Sequence, residues 1–233
     1  MQLDSFPFLD TEEVHRAVQL VYSLRSYWSK KGDVLYTLGE AIYQNTRNMN
    51  NYYNAAEYMN PILWDNFFWL YKRLSQMLTQ VLKESVLYYN QIALPGFHIF
   101  AFENIREYSG GGAHFDLQYQ SLSWPTEAVV SFENPISFTL ALELPTSSAG
   151  IDLWDLTYEE MISRRTQNST STTIELAKDR PYTNYPYRLG QLVIFYGHVC
   201  HRISQIDNLK PSDRRITLQG HVIKVNGIWI AYW

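Results

Sequence analysis

Apolar residues recur at helical spacing in the first third of the chain and at alternate positions in much of the rest. Val14, Val18, Val21 and Leu24 or Leu20 recur at helical spacing, which predicts a helix starting at Asp10. Asp10 caps it and Glu13 reaches back to complete the cap; its end is expected near Lys31-Gly32. A second helical stretch is expected over Asp33 to Thr46, and the segment NMNNYYNAAEYMN that follows fits either a loop or a short irregular helix. Pro61 is then expected to open the clearest helix of the chain. Its stripe of Leu63, Phe67, Leu70, Leu74, Met77 or Leu78, and Val81 predicts packing against the back of a sheet.

From Val86 onward, β-branched and aromatic residues alternate with turn signals such as Leu94-Pro95-Gly96 and Gly110-Gly111-Gly112. FHIFAFENIREY, ISFTLALEL, GIDLWDL, LGQLVIFYG, VCHRISQI, RRITLQGHVIKV and GIWIAYW read as strands, and Asn226-Gly227 marks a hairpin. Between Thr157 and Arg188 the series is interrupted by RRTQNSTSTT and PYTNYPY. An excursion of that length predicts a lid, a binding loop or a disordered segment. Strands at this spacing behind helices predict a mainly β fold, a jelly roll buttressed by N-terminal helices. One domain over residues 1–233 is expected, with 1–85 as the buttress and 86–233 as the jelly-roll core.

Composition narrows the partners. Tyr, Phe and Trp number 18, 11 and 7, enough to pack a core and also line a ligand pocket. A net charge of −4 with no long basic run argues against nucleic acid and favours a small-molecule substrate. The single cysteine, Cys200, fits a reducing compartment. The acidic N-terminus and the lack of an apolar run of spanning length argue against a signal peptide and a membrane partner, so a cytoplasmic location is expected. Asn168-Ser169-Thr170 matches a glycosylation sequon, read as a chance occurrence in a Ser/Thr-rich loop.

The chemistry centres on YSGGGAHFDLQY, residues 108–119. His114 and Asp116 sit two apart, and in an extended strand they face the same way. An imidazole and a carboxylate are two members of the 2-His-1-carboxylate set that binds non-haem Fe(II) and leaves coordination positions open. The third ligand should be a distant histidine. His201 is favoured over His198, because it starts a strand after the turn at Tyr196-Gly197; His198 would point the opposite way. Fourteen residues after His201 comes Arg215, on a strand whose alternation sets Arg215, Thr217 and Gln219 on one face. A buried guanidinium can grip a carboxylate with two hydrogen bonds, and a neighbouring hydroxyl can add a third. Arg214 should face away, to the surface.

His114-Phe115-Asp116, His201 and Arg215-Ile216-Thr217 together resemble the H-x-D … H … R-x-S/T signature of Fe(II)/2-oxoglutarate-dependent oxygenases. The resemblance runs from about Tyr108 to the end of the sequence. It implies the double-stranded β-helix, Fe(II) held by His114, Asp116 and His201, and 2-oxoglutarate anchored by Arg215 and Thr217. Tyr108 resembles the tyrosine that, in some branches, bonds the same carboxylate; side-chain packing is its other reading. O2 would then decarboxylate the co-substrate to succinate and CO2, and hydroxylation of a C–H bond is the expected outcome. An amino acid or biosynthetic intermediate is the expected kind of substrate, with a peptide or protein side chain also open. Family members that halogenate lack the carboxylate that Asp116 supplies. Desaturation and ring formation begin with the same hydrogen abstraction.

Other classes stay open at this level. A zinc hydrolase could use the three ligands without Arg215, as could a metal enzyme that needs no 2-oxo acid. A non-catalytic jelly-roll module would use neither. Gly110, Gly111 and Gly112 read as a flexible entry to the metal strand. His15, His98 and His221 read as solvated or satisfied side chains, and Gln118, Tyr119 and Trp154 as candidates to face the pocket.

Overall fold

In the computed structural model, which describes residues 3–124, 127–147, 149–167 and 172–233, the alternation along one strand sets the layout. β11 (Arg214–Val225) turns Ile216, Leu218 and Val222 to the main apolar core, and Arg215, Gln219 and His221 to a cavity. Both faces are covered, so the strand is buried almost throughout.

β11 is central in a nine-stranded sheet of order β1-β9-β6-β11-β5-β3-β2. These strands are β1 (Leu3–Pro7), β2 (Ser29–Lys30), β3 (Leu35–Leu38), β5 (Gly96–Ala101), β6 (Val130–Glu143) and β9 (Gln191–Tyr196). β12 (Ile228–Tyr232) pairs with β11 through the Asn226-Gly227 turn, and β4 (Val86–Tyr88) runs parallel to β12. Both turn residues have positive φ, 51° and 80°, the conformation the expected hairpin demands. A second, three-stranded sheet has the order β10-β7-β8, from β7 (Gly150–Trp154), β8 (Tyr182–Pro186) and β10 (Cys200–Ile203). Ile151 and Leu153 of that sheet pack with Ala141, Val193 and Phe195 of the large one. This is the expected double-sheet jelly roll.

The N-terminal part departs from expectation. α1 (Thr11–Ser23) has the predicted Asp10–Glu13 capping box, but ends well before Lys31-Gly32. Trp28 Nε1 donates to the Val21 carbonyl at 3.0 Å and turns the chain toward β2. Asp33–Thr46 is not helical. Leu35–Leu38 pairs antiparallel with Phe97–Phe100, Gly39 follows at φ +101°, and only a single 3-10 turn forms at Ile42–Gln44. Pairing with a buried strand overrides local helical spacing. The first 85 residues thus supply three strands as well as helices.

α2 (Met49–Leu82) absorbs the Asn/Tyr-rich segment and carries Pro61 in its interior rather than at its start. The stripe continues upstream as Tyr52, Ala56, Met59 and Asn60, all buried, so tertiary burial extends the helix past a residue that usually ends one. Asn60 fits there because its amide donates to the Ile92 carbonyl at 2.8 Å and accepts from Leu94 N at 2.9 Å. Leu63, Phe67, Leu70, Leu74 and Leu78 pack on the back of the large sheet, against residues such as Phe97, Leu140 and Leu218, as the stripe predicts.

Among the described residues, the excursion after Thr157 is structured. It holds α3 (Tyr158–Gln167), α4 (Thr173–Ala177) and β8, and packs around Phe115 and Trp154. The Asn168–Thr170 sequon lies outside the described residues. Among those described, no helix is long and apolar enough to cross a membrane.

Leu74 is fully buried between α2 and the sheet. Leu74→Ala should therefore cost about 2–5 kcal/mol in urea unfolding while leaving the cavity groups in place. A cost under about 1 kcal/mol would show that α2 does not buttress the sheet.

Candidate metal centre

His114 does not lie in a strand. One antiparallel bridge ties it to β10: His114 N donates to His201 O at 2.9 Å and His201 N to His114 O at 3.0 Å. Upstream, Tyr108 pairs with Ile206 and Gly111 N donates to Ile203 O at 3.1 Å. The loop is thereby laid along β10. Gly110 makes this approach possible: at φ +89°, a Cβ there would lie 2.6 Å from the Ile203 carbonyl oxygen. The glycine run serves close backbone contact, not only flexibility.

The bridge sets the two imidazole rings 4.4 Å apart between centroids, and Asp116 closes the group. His114 Nε2 lies 3.6 Å from Asp116 Oδ1, and His201 Nε2 3.5 Å from Oδ2. The three candidate ligand atoms all fall within 4.8 Å of one another. Each ring's other nitrogen meets a backbone carbonyl two residues back: His114 Nδ1 to Gly112 O at 2.7 Å, and His201 Nδ1 to Val199 O at 2.8 Å. A carbonyl only accepts, so Nδ1 carries the proton and Nε2 presents its lone pair to the centre, the arrangement of metal-ligating histidines.

Burial disfavours the Asp116 carboxylate, but His201, His221, His114 and the Ser137 hydroxyl outweigh it and hold its pKa well below the usual range. Burial lowers His201 to about 4, against an opposing pull from Asp116. Near neutral pH the group is thus one carboxylate with a neutral His201. Ser137 Oγ donates to Asp116 Oδ2 at 2.5 Å, and Gln118 Nε2 donates to Oδ1 at 3.1 Å. The Ser137 proton being committed, His221 Nδ1, 3.0 Å away, must donate to its oxygen. Ser137 and His221 face each other across β6 and β11.

Arg215 is 1% exposed and lines the same cavity, of about 590 Å³. Its guanidinium lies over Phe100 and Tyr187 at 5.4 and 5.7 Å, and Nη1 donates to Thr217 Oγ1 at 3.3 Å. Nε has no hydrogen-bond partner, and no carboxylate pairs with Arg215 among the described residues. Burial lowers its pKa, yet a guanidinium stays charged. Thr217 is buried behind it. Tyr108 packs on Phe100 and Phe102; burial raises its hydroxyl pKa while Arg215 opposes the rise. Arg214 points away and pairs with Glu103 at 2.7 Å, as expected.

Some candidates are displaced. His198 stands outside the group and meets the Tyr119 hydroxyl at 2.6 Å. Gln118 lines the cavity, whereas Tyr119 and Trp154 do not; Trp154 stacks on Tyr182. His15 is exposed, beside Gln19. His98 and His221 are not surface or isolated histidines: both line the cavity, and Tyr43 Oη lies 2.5 Å from His98 Nε2. A signal for His221 was available, since the alternation that aligns Arg215, Thr217 and Gln219 continues to it. For His98 there was none, because it reaches this face only through its pairing with Thr217.

Burial, with Arg215 next in weight, lowers His98 to about 3 from 6.5. The unfolded chain therefore takes up a proton near 6.5 that the folded protein refuses until about 3. Below the upper value the unfolded state binds more protons, so stability present at neutral pH is lost as pH falls. The urea midpoint should drop between about pH 7 and about pH 5, and less steeply in His98→Gln. Equal slopes would place His98 in contact with solvent.

No family model matches the sequence, and no curated protein does. Solved structures match by fold. An N-substituted L-amino acid dioxygenase from Burkholderia ambifaria AMMD superposes with TM-score 0.62 at 13% identity, over 99% of this chain and 86% of its own. The non-haem α-ketoglutarate-dependent epimerase SnoN from nogalamycin biosynthesis gives 0.54 at 12% identity, over 94% and 79%. The carbocyclase SnoK, from the same biosynthesis and with the same dependence, gives 0.52 at 13%, over 96% and 78%. With its two sheets, its covering helices and a His-Asp-His group between them, the chain has the double-stranded β-helix fold of the Fe(II)/2-oxoglutarate-dependent oxygenases.

Proposed function

We propose that the protein is an Fe(II)- and 2-oxoglutarate-dependent oxygenase acting on a small molecule, with His114, Asp116 and His201 as iron ligands. Arg215 and Thr217 anchor the far carboxylate of the co-substrate, and Tyr108 forms the wall beside them. The observation that carries this reading is the buried guanidinium of Arg215, without a protein carboxylate, in the cavity that holds the His-Asp-His group. A buried unpaired cation is costly, and an anionic ligand relieves it. A zinc hydrolase does not require such a group.

Iron and 2-oxoglutarate, when bound, supply oxidative decarboxylation by O2, giving succinate and CO2, and the capacity to remove a hydrogen atom from the substrate. The chain's own residues orient. The carbonyls of Gly112 and Val199 fix which nitrogen each histidine presents, and Ser137 and Gln118 fix the carboxylate. Arg215 would hold the co-substrate's far carboxylate by charge-assisted hydrogen bonds. Hydroxylation of a C–H bond is the outcome we favour. The match to an epimerase and a carbocyclase keeps other outcomes of hydrogen abstraction in the same class, and Asp116 argues against halogenation.

Anaerobic addition of Fe(II) and 2-oxoglutarate to the apoprotein should give a weak visible charge-transfer band, lost in Asp116→Ala. Arg215→Ala should raise the 2-oxoglutarate needed for the band by roughly two to three orders of magnitude while sparing iron binding. Equal loss of both would show the roles are misassigned. Ser137→Ala should weaken metal affinity about 10–100-fold, with Ser137→Thr restoring most of it; an unchanged affinity would remove Ser137 from the metal's support.

A further inference from the structure

The cavity, at about 590 Å³, exceeds what a five-carbon keto acid fills. Only two of its lining side chains, Asp116 and Arg215, carry a fixed formal charge. The residues outside the described set (1, 2, 125, 126, 148 and 168–171) include no Asp, Glu, Lys, Arg or His. On the oxygenase reading, on which this inference rests, Asp116 is engaged by the metal and Arg215 by the keto acid. His98, held neutral by burial, adds no charge near pH 7.

The rest of the wall is neutral, hydrogen-bonding and aromatic. Tyr43 and His98 form a bonded pair, and Gln118, Ser121 and Gln219 add amide and hydroxyl groups. The Trp233 indole meets His98 edge-on at 5.1 Å. It lies flat enough on the sheet that a Cβ on Gly96 would come within 2.0 Å of it, so that glycine is what admits the ring. A carboxylate or ammonium placed here would be desolvated without a counter-charge, which costs several kcal/mol.

We propose that the substrate enters this cavity with an uncharged, ring-bearing portion that carries hydroxyl, keto or amide groups. Tyr43 and Gln219 hydrogen-bond those groups, His98 holds the Tyr43 hydroxyl, and Trp233 covers the ring. A free amino acid is thereby disfavoured, because its carboxylate would need a second cation that the wall does not offer.

The test uses the anaerobic protein loaded with Fe(II) and 2-oxoglutarate, and four probes that share one ring. These are para-hydroxybenzyl alcohol (neutral), para-hydroxybenzoate (anion), tyramine (cation) and tyrosine (zwitterion), each titrated against the charge-transfer band and against tryptophan fluorescence. The neutral probe should bind at least about tenfold more tightly than the other three, a difference of about 1.4 kcal/mol. Gln219→Lys, which places a cation in the wall, should move para-hydroxybenzoate ahead of the alcohol. Equal or tighter binding of a charged probe to the unmodified protein, binding by none of the four, or an unchanged order in Gln219→Lys would overturn the proposal. Absence of the band before any probe is added would instead overturn the oxygenase reading, so the two failures are distinguishable.

Discussion

The reciprocal backbone hydrogen bonds between His114 and His201 are the constraint on which the site depends. Neither histidine could be aimed by its own segment alone. His114 stands in a loop with no strand of its own, and His201 sits in a four-residue strand. Joined, they bring both Nε2 atoms toward Asp116, and the carbonyls of Gly112 and Val199 lock the rings. The close approach of Gly110 to Ile203 is a condition of the same contact, since any side chain there would push the loop off β10.

Around that bridge the cavity separates two opposite charges. Asp116 accepts from Ser137 and Gln118, whereas the Arg215 guanidinium lies over Phe100 and Tyr187 and is bonded only to Thr217. The second charge is the less satisfied one. Aromatic faces and one hydroxyl compensate a guanidinium poorly beside a carboxylate, so the fold carries an electrostatic cost at that position that a bound anion removes. Buried ions of this kind are weak evidence for stability and stronger evidence for a ligand.

The helices explain how so polar a cavity is tolerated. α2 and α1 cover the outer face of the large sheet with an apolar cluster, and the central strands of the sheet are thus anchored from behind. The inner face is then free to carry Arg215, Gln219, His221, His98 and Ser137. Precision on one side of the sheet is supported by burial on the other.

The chemistry was legible where it is local. A candidate ligand histidine, a carboxylate two residues on, and an arginine followed two later by a threonine are spacings within single segments, and alternation alone aims Arg215 and Arg214 in opposite directions. The long apolar stripe of α2 was legible for the same reason, although Pro61 hid where it starts. What the chain could not disclose is whatever depends on register between distant segments. Leu35–Leu38 becomes a strand because Phe97–Phe100 lies beside it, His98 reaches the cavity because it pairs with Thr217, and His221 touches Ser137 because β6 and β11 meet at that step. Residue type and local periodicity follow from covalent neighbours. Which histidine faces which hydroxyl follows from long-range hydrogen bonding and core packing, and those exist only once the chain has folded.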